Sequence, residues 1–183
     1  DSTGKEKITA TNGEISKTYM RRNDREIQDP EIIQRMLQSA EVCRIGMYDG
    51  EYPYVLPVNF AYDTDTGLLF FHSAKTGKKT SVLGRHPQVC IEIDEPGNVI
   101  DNGPPCNAEY TYSCIIARGL AVLCTEMEER KRALQLLTRK YLHREHSFSN
   151  EELQSVAVYK VKIAELSGKQ HQRESGESGS HHH

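Results

Sequence analysis

Between Val42 and Asp94 the chain sets out four strand-like segments, and only one short helical stretch interrupts them. The segments are Val42–Tyr48, Tyr52–Tyr62, Leu68–Ser73 and Val89–Asp94. Parallel neighbours need a crossover of about a dozen residues or more, usually a helix. Here Asp49–Gly50 and Asp63–Gly67 leave room only for turns, so the first three strands are expected to form an antiparallel meander. Lys78–Arg85 reads as the short helix, ended by His86–Pro87. Further along, Tyr110–Thr125 is a long segment rich in β-formers with a bend expected near Gly119, and Val156–Ile163 closes the series. Six mostly sequential strands with helices outside imply a mainly β protein with flanking helices, an antiparallel six-stranded barrel.

The helices follow from capping and periodicity. Asp29 is placed as an N-cap before Pro30, and Ile32, Ile33, Met36, Leu37 and Ala40 form one apolar stripe. Glu126–His143 has Ala133, Leu134, Leu137 and Tyr141 on one face, and Ser149–Asn150–Glu151–Glu152 opens a last short helix. Pro96–Asn107 lacks periodicity and reads as a long loop. Residues 1–19 and 170–183 are polar and expected to be flexible tails around a domain at 20–169; Gly179–Ser180–His181–His182–His183 looks like a purification tag and carries no metal argument.

Chemistry concentrates where the third strand ends. Gly67–Leu68–Leu69–Phe70–Phe71–His72–Ser73 runs directly into Ala74–Lys75–Thr76–Gly77–Lys78–Lys79–Thr80. A turn of small and cationic residues that opens a helix can hold a phosphate, because free amides, helix dipole and lysines face one spot. The same residues could equally be a solvated turn behind a half-buried histidine. Neither a Walker A loop nor a dinucleotide fingerprint is present. Pro57, inside a strand, marks an edge or bulge that leaves backbone groups free, and Asn59 interrupts the apolar run Tyr54–Phe60. Ser113 interrupts another such run, where it could bond a ligand or the neighbouring backbone, and Arg44 reads as a structural ion-pair partner.

Several classes recede. A net charge of −3 with 27% charged residues gives no general attraction to nucleic acid or membranes, and no apolar run reaches a membrane span. The first twenty residues lack a signal-peptide centre, so a cytoplasmic protein is expected. The five cysteines have no C-x-x-C and read as buried thiols. His143 and His146 lack further ligands nearby, so no metal site is expected. With no nucleophile motif in view, any redox or transfer chemistry would belong to a cofactor.

Met20–Arg21–Arg22–Asn23–Asp24–Arg25–Glu26, Cys43–Arg44–Ile45–Gly46, Val55–Leu56–Pro57–Val58–Asn59–Phe60, Phe71–His72–Ser73–Ala74, Gly77–Lys78–Lys79 and Pro87–Gln88–Val89–Cys90, in that order, resemble the FMN-binding split-barrel family. The branch is the nitroimidazole-resistance type, related to pyridoxamine 5′-phosphate oxidases, and Leu166–Ser167–Gly168–Lys169 also fits it. The resemblance implies a six-stranded split barrel that forms a homodimer with FMN at the interface. It places Val55, Leu56, Pro57, Val58 and Asn59 along the flavin ring, His72 and Ser73 at the ring and ribityl side, Lys78 and Lys79 on the phosphate, and Ser113 against the flavin from the long strand. His72 becomes the catalytic candidate. The implied activity is electron transfer from NAD(P)H to a small acceptor such as a nitroaromatic compound; a non-catalytic flavin module or a haem-binding split barrel is the alternative. The arginine and histidine set with which pyridoxine phosphate oxidases grip their substrate is not recognisable near the C-terminus, which argues against vitamin B6 oxidation.

Overall fold

The computed structural model describes residues 23–172. Met20–Arg22, residues 1–19 and residues 173–183 lie outside the described residues. Seven strands form one antiparallel sheet: β1 Cys43–Tyr48, β2 Pro53–Val58, β3 Phe60–Asp63, β4 Leu68–Ser73, β5 Gln88–Ile100, β6 Glu109–Leu123 and β7 Ala157–His171. The helices are α1 Pro30–Ser39, α2 Lys78–Arg85, α3 Met127–Leu142 and α4 Asn150–Ser155.

The sheet order is β2-β1-β5-β6-β7-β4-β3, so β2 and β3 stand at opposite edges. Yet only Asn59 separates them in the chain. Two residues of chain span at most about 7 Å, so the two edges must meet at Asn59. The sheet is thereby curled into a barrel that is joined covalently at one point and split beyond it. The expected single strand Tyr52–Tyr62 is therefore two strands, seven in all rather than six, and the first three segments do not pair as one meander. At the break the Tyr141 hydroxyl accepts the Phe60 N–H at 2.9 Å. Pro57, which has no N–H to give, lies on β2, whose only partner is β1.

Inside the barrel, Ile45, Phe60, Leu69, Phe71, Ile91, Ile93, Ile115 and Val161 make the main core. A second core lies outside β3, β4 and β7, where Ala61, Phe70 and Val158 meet Ala133, Leu134 and Leu137 of α3 and Leu153 of α4. Apolar burial on both faces explains why β4 reads as an unbroken apolar run. Arg130 binds the outer layer together, donating to the carbonyls of Cys124, Leu153 and Val156 from a buried position. Arg132 grips the β3–β4 turn through Asp63 and Asp65, holding the Asp63 carboxyl below its ordinary range. Asp29 caps α1 as expected, accepting the Glu31 N–H at 2.9 Å.

Two further differences from the sequence reading concern length. β5 continues to Ile100 through a bulge between Pro96 and Val99, so the expected loop is shorter. Gly97 is needed there, because a Cβ would overlap Thr111 on the neighbouring strand. β7 runs on past Ile163 to His171, pairing with β6 as far as Tyr112. The bend near Gly119 is present as a register shift between Arg118 and Gly119.

Candidate functional site

The end of β4 and the start of α2 place three of the expected site residues. Side chains alternate along a strand, so Phe71 points into the barrel, stacked on Tyr159 with ring centroids 5.2 Å apart, while His72 points outward on the side of Phe70. Ser73 is buried. The turn that follows is closed by the Thr80 hydroxyl, which donates to the Ala74 carbonyl at 2.9 Å. Gly77 is the N-cap of α2, with φ +129° and no side-chain cap, so the first amides of the helix lack the usual partner.

The two lysines behave differently. Lys78 stands 2.9 Å from the Asp49 carboxylate and 4.4 Å from the centre of the Tyr54 ring. It ties the start of α2 to the β1–β2 hairpin, and its side-chain bond holds Asp49 well below the carboxylate range. Lys79 makes no ion pair among the described residues. It lies 5.6 Å from the Phe71 ring centre, and burial lowers its pKa. A half-buried cation without a counter-ion stands ready for an anion.

His72 is exposed at the surface of the single chain. Burial of part of the ring, then the Lys79 ammonium, lowers its pKa, which favours the neutral imidazole. It makes no hydrogen bond among the described residues. With Asn59 it borders a cavity of about 480 Å³ between β4 and the α3–α4 pair, walled by Leu134, Leu137, Tyr141 and Phe148. The Asn59 amide donates to the Glu41 carbonyl at 3.3 Å.

Three separate contacts involve expected residues. Lys78 reaches Tyr54, next to Val55; Lys79 acts on His72; His72 and Asn59 share a cavity. Val55 and Pro57 are exposed on β2, Leu56 is half-buried and Val58 is buried on the barrel side. Ser113 is not part of this group. It is buried on β6 opposite Glu95 and Gln170, about ten residues of strand away from Leu123, the end of β6 that faces Tyr159. Arg44 is structural, bonded to Glu92 at 3.0 Å and to Asp94. His146 pairs with Glu152 at 2.8 Å.

Lys140 and Tyr141, both on α3, carry more than their helical spacing announces. Tyr141 was legible only as an inward position, whereas its hydroxyl fastens the split. The Lys140 ammonium is buried without a hydrogen bond, 3.8 Å from the Phe60 ring centre, and burial lowers its pKa to about 8.

The match to known proteins agrees with this frame. A family model described as pyridoxamine 5′-phosphate oxidase matches residues 29–170. A proposed 5-nitroimidazole antibiotic resistance protein from Bacteroides thetaiotaomicron is 30% identical, with a TM-score of 0.71 over 79% of this chain and 86% of its own. The flavocytochrome of Azotobacter vinelandii shares the fold at 20% identity, with a TM-score of 0.72 over 85% of this chain and 73% of its own. The FAD and haem binding protein of Mycobacterium smegmatis does so at 13% identity, with a TM-score of 0.71 over 81% and 74%. No curated protein matches the chain at a comparable level. With its split antiparallel barrel and a matched stretch that runs from α1 into β7, the chain belongs to the pyridoxamine 5′-phosphate oxidase-like family.

Proposed function

We propose that this protein is an FMN-dependent oxidoreductase that passes electrons from NAD(P)H to a small acceptor such as a nitroaromatic compound. The observation that carries the reading is Lys79, a half-buried cation with no counter-ion among the described residues, beside the uncapped start of α2. A phosphate there would meet the lysine, free amides and the positive end of the helix together. The relation to a proposed nitroimidazole-resistance protein supports the acceptor, and the fold shared with a flavocytochrome and an FAD and haem binding protein supports a flavin. Lys78 would join by releasing or sharing Asp49. Gly77 carries no Cβ that would crowd the phosphate, and nothing lies within 4 Å of where one would be.

Val55 to Asn59 would hold the flavin ring with the backbone groups of a β2 edge that has one neighbour in the sheet. FMN bound there would supply the electron carrier between nicotinamide and acceptor. His72, neutral near pH 7, would give or accept one hydrogen bond at the ring or the acceptor. A homodimer follows from the same edge. A two-fold partner would cover the β2 edge with its Val55, 57% exposed, and could reach Leu120 and Val122, 48% and 47% exposed on β6. Ser113 would meet the ligand only if the second subunit supplied it.

An unpartnered imidazole beside an apolar cavity also suits an axial haem ligand, and this keeps the haem reading as the second choice. The test is retention. Protein incubated with FMN or riboflavin and then gel-filtered is expected to keep FMN and release riboflavin. Equal retention of both removes the phosphate site, and retention of haem alone replaces the flavin reading.

A further inference from the structure

We infer that Asp49 competes with a phosphorylated ligand for the Lys78 ammonium and so sets how tightly the start of α2 holds that ligand. The identity of the ligand as FMN rests on the proposed function. The competition rests on the two oxygens of Asp49, which have separate duties. Oδ1 accepts the Glu51 and Tyr52 N–H groups at 3.0 and 2.8 Å and shapes the turn between β1 and β2. Oδ2 faces Lys78, 2.9 Å away. The turn is also closed by the Asp49 N–H, which donates to the Tyr52 carbonyl at 3.1 Å, and by the Tyr48 hydroxyl, which donates to the Gly50 carbonyl at 2.8 Å. The hairpin therefore keeps its shape without Lys78.

The ion pair is unequal. The Lys78 side chain is 58% exposed and the Asp49 side chain 16%. An ammonium that swings away is taken up by water or by a phosphate, whereas the carboxylate stays where little water reaches it. The cost of separating the pair therefore falls on Asp49. Tyr54 holds the same ammonium from β2, with its ring centre 4.4 Å away.

Charge gives the competition its direction. Lys78 and Lys79 against Asp49 leave one net positive charge at the start of α2. A phosphate monoester brings about 1.5 to 2 negative charges near pH 7. To meet it with both lysines, Lys78 must leave Asp49, and the phosphate then sits near a carboxylate that has lost its partner. Asp49 thus lowers the affinity for a phosphorylated ligand and leaves an unphosphorylated one alone.

Equilibrium dialysis of the full chain against FMN and, separately, riboflavin tests this. Asp49→Asn keeps an oxygen for the two amides and removes the charge that holds Lys78. It is expected to tighten FMN by about three- to tenfold and to change riboflavin by less than about twofold. The gain should shrink when Lys78→Ala is already present, because nothing is then left to compete for. FMN affinity that is unchanged or weakened by Asp49→Asn overturns the inference. An equal change for both ligands means that the hairpin was altered, and overturns it. An equal gain with and without Lys78 reduces Asp49 to plain repulsion, and overturns it too. If Asp49→Asn does not fold, Asp49→Ser, whose hydroxyl also serves such turns, takes its place. A parent chain that holds no FMN defeats the flavin reading, and inorganic phosphate then decides. Phosphate in place of chloride at equal ionic strength is expected to raise the melting temperature of Asp49→Asn more than that of the parent. An equal or smaller rise overturns the inference.

Discussion

Tyr141 fastens Phe60 at the point where the barrel splits. Its hydroxyl accepts the Phe60 N–H at 2.9 Å and lies 2.6 Å from the Glu41 carbonyl and 3.0 Å from that of Phe60. One side chain on α3 thus serves backbone groups of Phe60, at the start of β3, and of Glu41, just before β1. Tyr141→Phe removes the hydroxyl and takes from the half-buried Phe60 N–H its side-chain acceptor, while the exposed Glu41 carbonyl keeps the Asn59 amide. The expected loss is about 1–3 kcal/mol in urea unfolding. An unchanged midpoint would mean that water takes over these bonds and the clamp is incidental.

Lys140, the preceding residue, works against stability near neutral pH. Its folded pKa is about 8, below the ordinary 10.5, so the unfolded chain binds more protons between those values. Stability should therefore rise as pH goes from about 8 to about 10.5, and the cost should be fully present below pH 8. Lys140→Met keeps the length of the chain and removes the unpaired charge. It is expected to gain about 1 kcal/mol at pH 7 and to flatten that rise. A variant less stable than the parent at pH 7 would show that the contact with the Phe60 ring outweighs the burial.

The lysines at the start of α2 should separate in a binding assay. Lys79→Ala should weaken FMN by about 1.5–3 kcal/mol, the scale of one charge-assisted hydrogen bond, and leave riboflavin unchanged. Lys78→Ala should cost less, since its ammonium is already engaged by Asp49. Equal losses for FMN and riboflavin would reduce both lysines to supports of the fold.

His72 should titrate below 6.5, because burial and then Lys79 disfavour the imidazolium. Facing groups are Lys79 from α2, Glu152 from α4 and Tyr141 from α3. A lowered folded pKa means that His72 costs nothing well above pH 6.5; stability is lost as pH falls from there through the folded value. Proton resonances of the ring should follow this, and Lys79→Met should raise the pKa. His72→Ala should keep FMN and slow reduction of the acceptor more than reduction by NAD(P)H. Unchanged rates in both half-reactions would make His72 a wall of the cavity and nothing else.

The sheet was readable where local chemistry and tertiary pairing agree. The turns at Asp49–Gly50 and Asp63–Gly67, the cap at Asp29 and the bend at Gly119 all speak through neighbours in sequence. Asn59 did not, because Val58 and Phe60 both face the core and the alternation passes through the break unmarked. The side chain bound at that break is Tyr141, about eighty residues on. Pro96 and Gly97 look like a loop for a related reason: a bulge uses the same residues as a turn, and only the approach of Thr111 tells them apart. The turn at Gly77–Lys78–Lys79 was legible as a place for an anion, but the engagement of Lys78 by Asp49 was not. The cavity beside His72 was hidden as well. The stripe of Leu134, Leu137 and Tyr141 announces a buried face, not that α4 and Phe148 leave space above it.

The β2 edge should be covered in solution. Light scattering is expected to give about twice the 20.8 kDa chain mass. A monomer that holds flavin would place the whole site within one chain and exclude Ser113 from it.

The central claim, electron transfer through FMN, is tested most directly by the visible spectrum of the purified protein before and after anaerobic NADPH or NADH. A flavin spectrum that bleaches on addition of the nicotinamide and returns when a nitroaromatic acceptor is added is expected. A haem spectrum, or bound flavin that neither nicotinamide can bleach, would contradict it.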